Sequence, residues 1–189
     1  MEVLVVVSVV ALLWAAGWVS RSSWLKGKVG ERQVSRTLKR KLKKKDYLII
    51  NDIVLPTREH GTTQIDHLIV SRFGVFVVET KNMSGWIFGS ERSPEWTQVI
   101  YSWKSRFQNP LRQNYKHVKA VEYSLKLSPT QVHSVVVFVG TGEARTEMPD
   151  NVIWGKRVLP FYIKTFLKEV ILEEELADVR DRLQGFSHK

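Results

Sequence analysis

Hydrophobic and polar positions alternate in several distinct rhythms along the chain. Val3 to Val19 is a 17-residue run without charge, interrupted only by Ser8 and Gly17. As a helix it spans roughly 26 Å, close to the hydrocarbon core of about 30 Å. Trp14, Trp18 and Trp24 gather at its far end, where an interfacial aromatic belt forms. Val34, Leu38 and Leu42 then recur every fourth residue without a proline, which predicts a helix over 24–45. A β-rich run at 47–55 stops at Pro56, and two more at 63–71 and 74–81 flank a tight turn at Arg72-Phe73-Gly74. Short strands at 85–89 and 95–103 follow, and Pro110 opens a helix to about Lys126. Val132 to Val139 is almost wholly apolar, as a strand buried on both faces requires. A short strand at 151–154 precedes a last helix opened by Pro160, with Ile163, Phe166, Leu167, Val170, Ile171 and Val179 on one side. The class is mixed α/β. The organisation is a membrane anchor at 1–20, a body at 21–145, and a strand and helix at 146–189 that complete the same domain.

Composition narrows the choice of partner. With 189 residues, 43% hydrophobic and 25% charged, a fully disordered chain is excluded. The absence of cysteine excludes disulfide scaffolds, thiolate zinc sites and cysteine nucleophiles. The formal net charge is +10. Residues 1–20 hold one acid, Glu2, and no base, so residues 21–189 carry +11 (29 bases against 18 acids). Such a body favours polyanions, either nucleic acid or the anionic face of a membrane. Glu2 precedes the apolar run, and Arg21, Lys26 and Lys28 follow it. That order is the reverse of a cleaved signal peptide, and the positive-inside rule places the body on the cytoplasmic side of a cell membrane crossed once. Residues 36–45 hold seven bases around Leu38 and Leu42. They read as a solvated face or as a contact to anionic lipid, worth about 1 kcal/mol per base, with phosphate-backbone binding as a third reading. Trp86, Phe88, Trp96, Tyr101 and Trp103 either stack unpaired bases or, at their alternating spacing, fill a sheet core. Glu173, Glu174 and Glu175 read as a solvated face.

The candidate chemistry lies on the hairpin. With the turn centred between Arg72 and Phe73, Ser71 faces Gly74, Asp66 faces Glu79 and Gln64 faces Lys81. Opposed residues share a face with Cβ atoms about 5 Å apart, so the two carboxylates repel. A hard divalent cation resolves such a repulsion, because Mg²⁺ accepts one or two carboxylates together with water and phosphate oxygens. Lys81, two residues from Glu79, lies on the same face, where it can offset charge on a phosphodiester under attack. Gln64 would orient Lys81 or touch the scissile strand. A bulge at Gly74 would pair Asp66 with Thr80 instead. Spacing alone leaves a metal site and surface charges at a sheet edge both open. Gln113 and His117, four apart, point into the cleft or form a polar helix face. His67 falls on the face opposite Asp66, as a structural polar residue.

Ordered motifs add a family resemblance. Gly27-x-x-Gly30-Glu31, Asn51-Asp52 with Leu55, Thr63-Gln64-Ile65-Asp66-His67, and Gly74 to Asn82 with Gly85 and Gly89 resemble the nuclease-related (NERD) domain. Trp96 and Asn109-Pro110-x-x-Gln113 extend the likeness, which covers roughly residues 25–140. The resemblance implies the restriction-endonuclease-like fold of the PD-(D/E)xK nucleases, an αβββαβ core with a metal-dependent site. It makes Asp66 the metal-binding aspartate, Glu79 and Lys81 the E-x-K pair, Glu31 the first-helix acid that completes the metal shell, and Gln113 the helix glutamine. Ile65 replaces the motif's proline before Asp66. The expected function is a membrane-anchored, Mg²⁺- or Mn²⁺-dependent endo- or exonuclease acting on DNA or RNA. The alternative is a non-catalytic nucleic-acid-binding or membrane-associated module that keeps the fold.

Overall fold

The computed structural model describes residues 25–186; the apolar run at 3–19 lies outside the described residues. Among the described residues no helix is long and apolar enough to cross a membrane. The first helix, α1 (25–41), buries Val34 and Leu38, with Leu42 just beyond it. It ends four residues earlier than expected, in a turn where Asp46 N and Tyr47 N donate to Lys43 O. Continuing the helix would stack like charges at i,i+4 (Lys39 on Lys43, Arg40 on Lys44, Lys41 on Lys45), which is unfavourable. All seven bases of 36–45 are exposed and none has an acidic partner among the described residues, as a solvated face requires.

Three antiparallel strands follow, β1 (Leu48–Pro56), β2 (Thr62–Ser71) and β3 (Gly74–Asn82). The hairpin register is the expected one, from Ser71 opposite Gly74 to His67 opposite Val78. Gly74 sits at φ +122°, and a Cβ there would come within 2.4 Å of His133 Nε2, so glycine is required at this turn. After an inserted second sheet, α2 (Pro110–Leu125) carries the chain back to β7 (Val132–Val139), which pairs parallel to β3. β9 (Val152–Trp154) adds parallel to β7, so the main sheet runs β1-β2-β3-β7-β9. Setting the inserted sheet aside, the order is helix, three strands, helix, strand, the series that the family resemblance implies.

β3 and β7 lie at the centre and are apolar on both faces. α2 covers one face, where Val118, Val121 and Leu125 pack on Val75 and Val77. α1 covers the other, with Val34 and Leu38 on Phe76 and Val78.

Two expected elements are divided in the structure. The 95–103 strand is two strands, β5 (Glu95–Ile100) and β6 (Trp103–Gln108), reversed at Tyr101, whose φ is +53°. No glycine or proline marks that turn. With β4 (Gly85–Phe88) and the short β8 (Gly142–Ala144), they form the second sheet, β6-β5-β4-β8. The last helix is also two, α3 (Leu159–Ile163) and α4 (Glu173–Gln184). Ile163 packs on the α1 side of the main sheet, whereas Ile171 and Val179 pack on the α2 side. A single straight helix cannot serve both faces. The intervening segment passes the hairpin turn, where Val170 N and Ile171 N donate to Arg72 O. Glu173, Glu174 and Glu175 open α4 exposed to water, a favourable place for acids at a helix N-terminus.

Trp96 is fully buried and stacks on Phe138, which stacks on Trp154, joining the two sheets. Trp86, Tyr101 and Trp103 are exposed instead.

Two glycines of α1 give opposite predictions. A Cβ at Gly30 would stand 2.8 Å from Asn82 Cβ, whereas at Gly27 the nearest atom is 3.9 Å away. Alanine favours a helix by up to about 1 kcal/mol over glycine, and overpacking costs about 1–3 kcal/mol. Gly27→Ala should therefore raise the melting temperature by up to a few degrees and Gly30→Ala should lower it. Calorimetry of the two variants checks the contrast.

Candidate active site

The site lies level with a left-handed residue in β1. Asp52 has φ +56°, a conformation that aspartate tolerates better than most residues. It shifts the phase of the strand: Leu48 and Ile50 before it, and Ile53 and Leu55 after it, join the same cluster. β2 follows β1 through Ile53 opposite Ile65, while β3 stays with β7 through Glu79 opposite Val136. The β2–β3 ladder ends at His67–Val78. Where Asp66 and Glu79 would pair next, Asp66 Oδ2 accepts a hydrogen bond from Thr80 N at 2.8 Å. This point where β2 leaves β3, beside Asp66 and Glu79, is the notch.

Glu79 is buried, and both of its oxygens are engaged. Lys81 Nζ donates to Oε1 at 2.7 Å, and His117 Nε2 stands 3.3 Å from Oε2. That second contact is too long for a good hydrogen bond. Thr63 Oγ1 lies 2.8 Å from His117 Nδ1. With the hydroxyl donating there, the imidazole proton falls on Nε2, facing Glu79. Burial pushes the Glu79 pKa up, but His117 and Lys81 more than offset it and hold the carboxyl below its ordinary value. Asp66 goes the other way, to about 7, first through burial and then through the charge on Glu79. Thr80 N–H and Lys81 oppose that rise, and Glu31 adds to it.

Lys81 Nζ also donates to Gln113 Oε1 at 2.9 Å. α2 thus delivers Gln113 and His117, four residues apart, to the lysine and the glutamate of β3. Glu31 accepts from Lys28 Nζ at 2.8 Å, and the same ammonium reaches Asp52 Oδ1 at 2.7 Å. Among the described residues no three acidic or imidazole donors converge as a metal cluster; Glu31 is paired with Lys28, and its charge still reaches Asp66. Gln64 departs from its expected place: its Nε2 donates to Asp52 Oδ1 at 2.5 Å, and Lys81 is held by Gln113 instead. The β2–β3 ladder stops before these two residues, so they do not pair. His67 is buried on the far side, its Nδ1 2.7 Å from Asn51 Oδ1. Burial drives its pKa down to about 4, so it is neutral at pH 7.

Several residues that hold the site carried no role in the sequence reading. Asn109 caps α2 by accepting from Leu111 N, and its amide reaches the carbonyls of Ser90, Glu91 and Ser93. An asparagine before Pro110 signals the cap, but nothing local signals the three distant carbonyls. Buried Asn114 pins the helix to the sheet through Val77 O and Val135 O. Thr63 and Asp52 lie within quoted motifs, yet their partners become visible only once the notch is built.

The comparisons fall on this region. A family profile described as the nuclease-related domain matches residues 26–139, which include Glu31, Asp66, Glu79, Lys81, Gln113 and His117. An uncharacterized protein of Bacillus anthracis is 52% identical over 101 residues, 53% of this chain and 47% of that protein. The chain thus spans about half the length of that curated relative. No solved structure matches the chain.

The raised Asp66 pKa fixes a pH dependence. The unfolded chain releases this proton near pH 3.8 and the folded chain near 7, so stability falls as pH rises between those values and the full cost is present above 7. In the presence of a chelator, Asp66→Asn should melt higher than wild type at pH 8, and the gain should vanish by pH 4. Melting curves across that range check it; a variant less stable than wild type at pH 8 would contradict the assignment.

Proposed function

The chain belongs to the nuclease-related domain family, and from that premise we propose that the notch hydrolyses phosphodiester bonds of DNA or RNA with Mg²⁺ or Mn²⁺. The observation that carries this is a pair of neighbouring carboxylates with pKa values pushed in opposite directions, flanked by a lysine that keeps donor capacity. The donor set suits a hard cation, which takes one or two carboxylates and leaves its other positions to water and phosphate oxygens. Asp66 and Glu79 would hold it. When bound, such a cation lowers the pKa of a water and withdraws charge from the phosphoryl oxygens.

The chain's own groups prepare the site. His117 and Lys81 keep Glu79 ionised, so that carboxylate is ready at neutral pH. Asp66 would have to release its proton to hold a cation, so affinity should rise with pH. The Lys81 ammonium has three donors; Glu79 and Gln113 use two, and the third is available to a phosphate oxygen. Gln113 holds that ammonium in place, and Thr63 fixes the His117 tautomer. The apolar run at 3–19, with bases after it, supports tethering this activity to the cytoplasmic face of a membrane.

One observation favours a second reading, a nucleic-acid-binding module that does not cleave. Both Glu79 oxygens already have partners, as in a structural ion pair. Incubation of the full chain with single-stranded, duplex and RNA substrates in Mg²⁺ or Mn²⁺ separates the two. Wild type should cleave, Asp66→Asn and Glu79→Gln should lose both cleavage and metal-induced stabilisation, and Lys81→Ala should lose about 10²–10³-fold in rate while keeping most of the stabilisation. Binding without cleavage supports the second reading. Cleavage that survives a chelator overturns the metal mechanism.

A further inference from the structure

α2 carries a second face whose composition the core does not explain. Its buried side packs on the main sheet through Val118, Val121 and Leu125. Its outer side presents Arg112, Tyr115, Lys116, Lys119 and Tyr123, all exposed, at spacings of three and four residues that align them along the helix. Tyr115 and Tyr123 are 60% and 54% exposed. Lys119 Nζ lies 5.4 Å from the centre of the Tyr115 ring. These side chains form one wall of an open groove of about 1150 Å³, whose other wall is the β1–β2 turn with Arg58. The acid Glu122 in this groove is held by Lys119 at 2.6 Å, whereas Arg58 and Lys116 have no acidic partner among the described residues. The remaining acids, Glu59 and Glu91, lie off the α2 wall. Along the same helix, Arg112 and Lys116 immediately precede Gln113 and His117, which face the notch.

We propose that this groove binds a single-stranded nucleic acid and leads it to the notch, with bases stacked on Tyr115 and Tyr123 and phosphates met by Arg58, Arg112 and Lys116. Interleaved cations and exposed aromatic rings are what an unpaired strand requires, because every base offers a π face and every nucleotide a charge. A duplex hides its base faces and would gain only the cations. Eight residues separate the tyrosines, about 12 Å along the helix, so each ring can take its own base. The groove as a strand-binding surface stands on this geometry; that it feeds a cleavage site rests on the function proposed above.

The test uses the full chain with labelled oligonucleotides in a chelator, so that binding is read without cleavage. The single strand should bind more tightly than its duplex. Tyr115→Ala and Tyr123→Ala should each weaken single-strand binding about tenfold or more and leave duplex binding unchanged. Tyr115→Phe and Tyr123→Phe should retain affinity, since the ring does the stacking. Lys116→Ala should weaken both forms and flatten the salt dependence. Equal affinity for single strand and duplex, or alanine variants that bind like wild type, would overturn the proposal. If the tyrosine-dependent binding holds but Mg²⁺ elicits no cleavage, the hydrolytic function fails and the groove stands.

Discussion

The repulsion between Asp66 and Glu79, beside the notch where β2 leaves β3, is the constraint around which the site is organised. Two like charges in a poorly solvated place cannot both ionise freely, so their environments must differ. Glu79 has His117 and Lys81 to stabilise its charge. Asp66 has burial against its charge first and then the neighbouring negative charge, with a single backbone N–H in its favour, and its proton is retained to about pH 7. One carboxylate is thus ionised while the other keeps its proton up to about pH 7. A pair whose environments separate their pKa values in this way is a recurrent mark of sites that do acid–base or metal chemistry.

The fold delivers these groups through few anchoring contacts. α2 is fixed at its start by Asn109 and along its length by Asn114, which bonds the carbonyls of two neighbouring strands. That is why Gln113 and His117 arrive at Lys81 and Glu79 together. α1 comes close to the end of β3 because Gly30 has no side chain, and Lys28 from the next turn ties Glu31 to Asp52 of β1. Asp52 marks a change of phase in β1, level with the point where β2 leaves β3.

Most of the central elements were legible in the sequence, because their apolar periods are set by burial on one or two faces. Number symmetry across Arg72-Phe73 yielded the hairpin register, since a two-residue turn leaves little freedom. Two things were not legible. The Tyr101 turn and the division between Ile163 and Val179 carry no glycine or proline signal; they follow from which sheet face each apolar residue must reach. The hairpin count puts Gln64 beside Lys81 only if the β2–β3 ladder runs past His67–Val78, where it in fact ends, and an aspartate in the left-handed region does not announce itself. Among the site residues, those adjacent in sequence or opposed on the hairpin could be found by spacing, whereas the Thr63–His117 and Lys28–Asp52 contacts each join two elements distant in sequence.

The most direct measurement is calorimetric titration of Mn²⁺ into the full chain, in buffers of different ionisation enthalpy, across pH 6 to 8.5. Because Asp66 holds its proton to about pH 7 and must lose it to serve a cation, binding should release close to one proton at pH 6 and almost none at pH 8.5, and Asp66→Asn should abolish the release. Tight binding with no proton release at pH 6, or release that persists in Asp66→Asn, would contradict a cation site built on the Asp66–Glu79 pair.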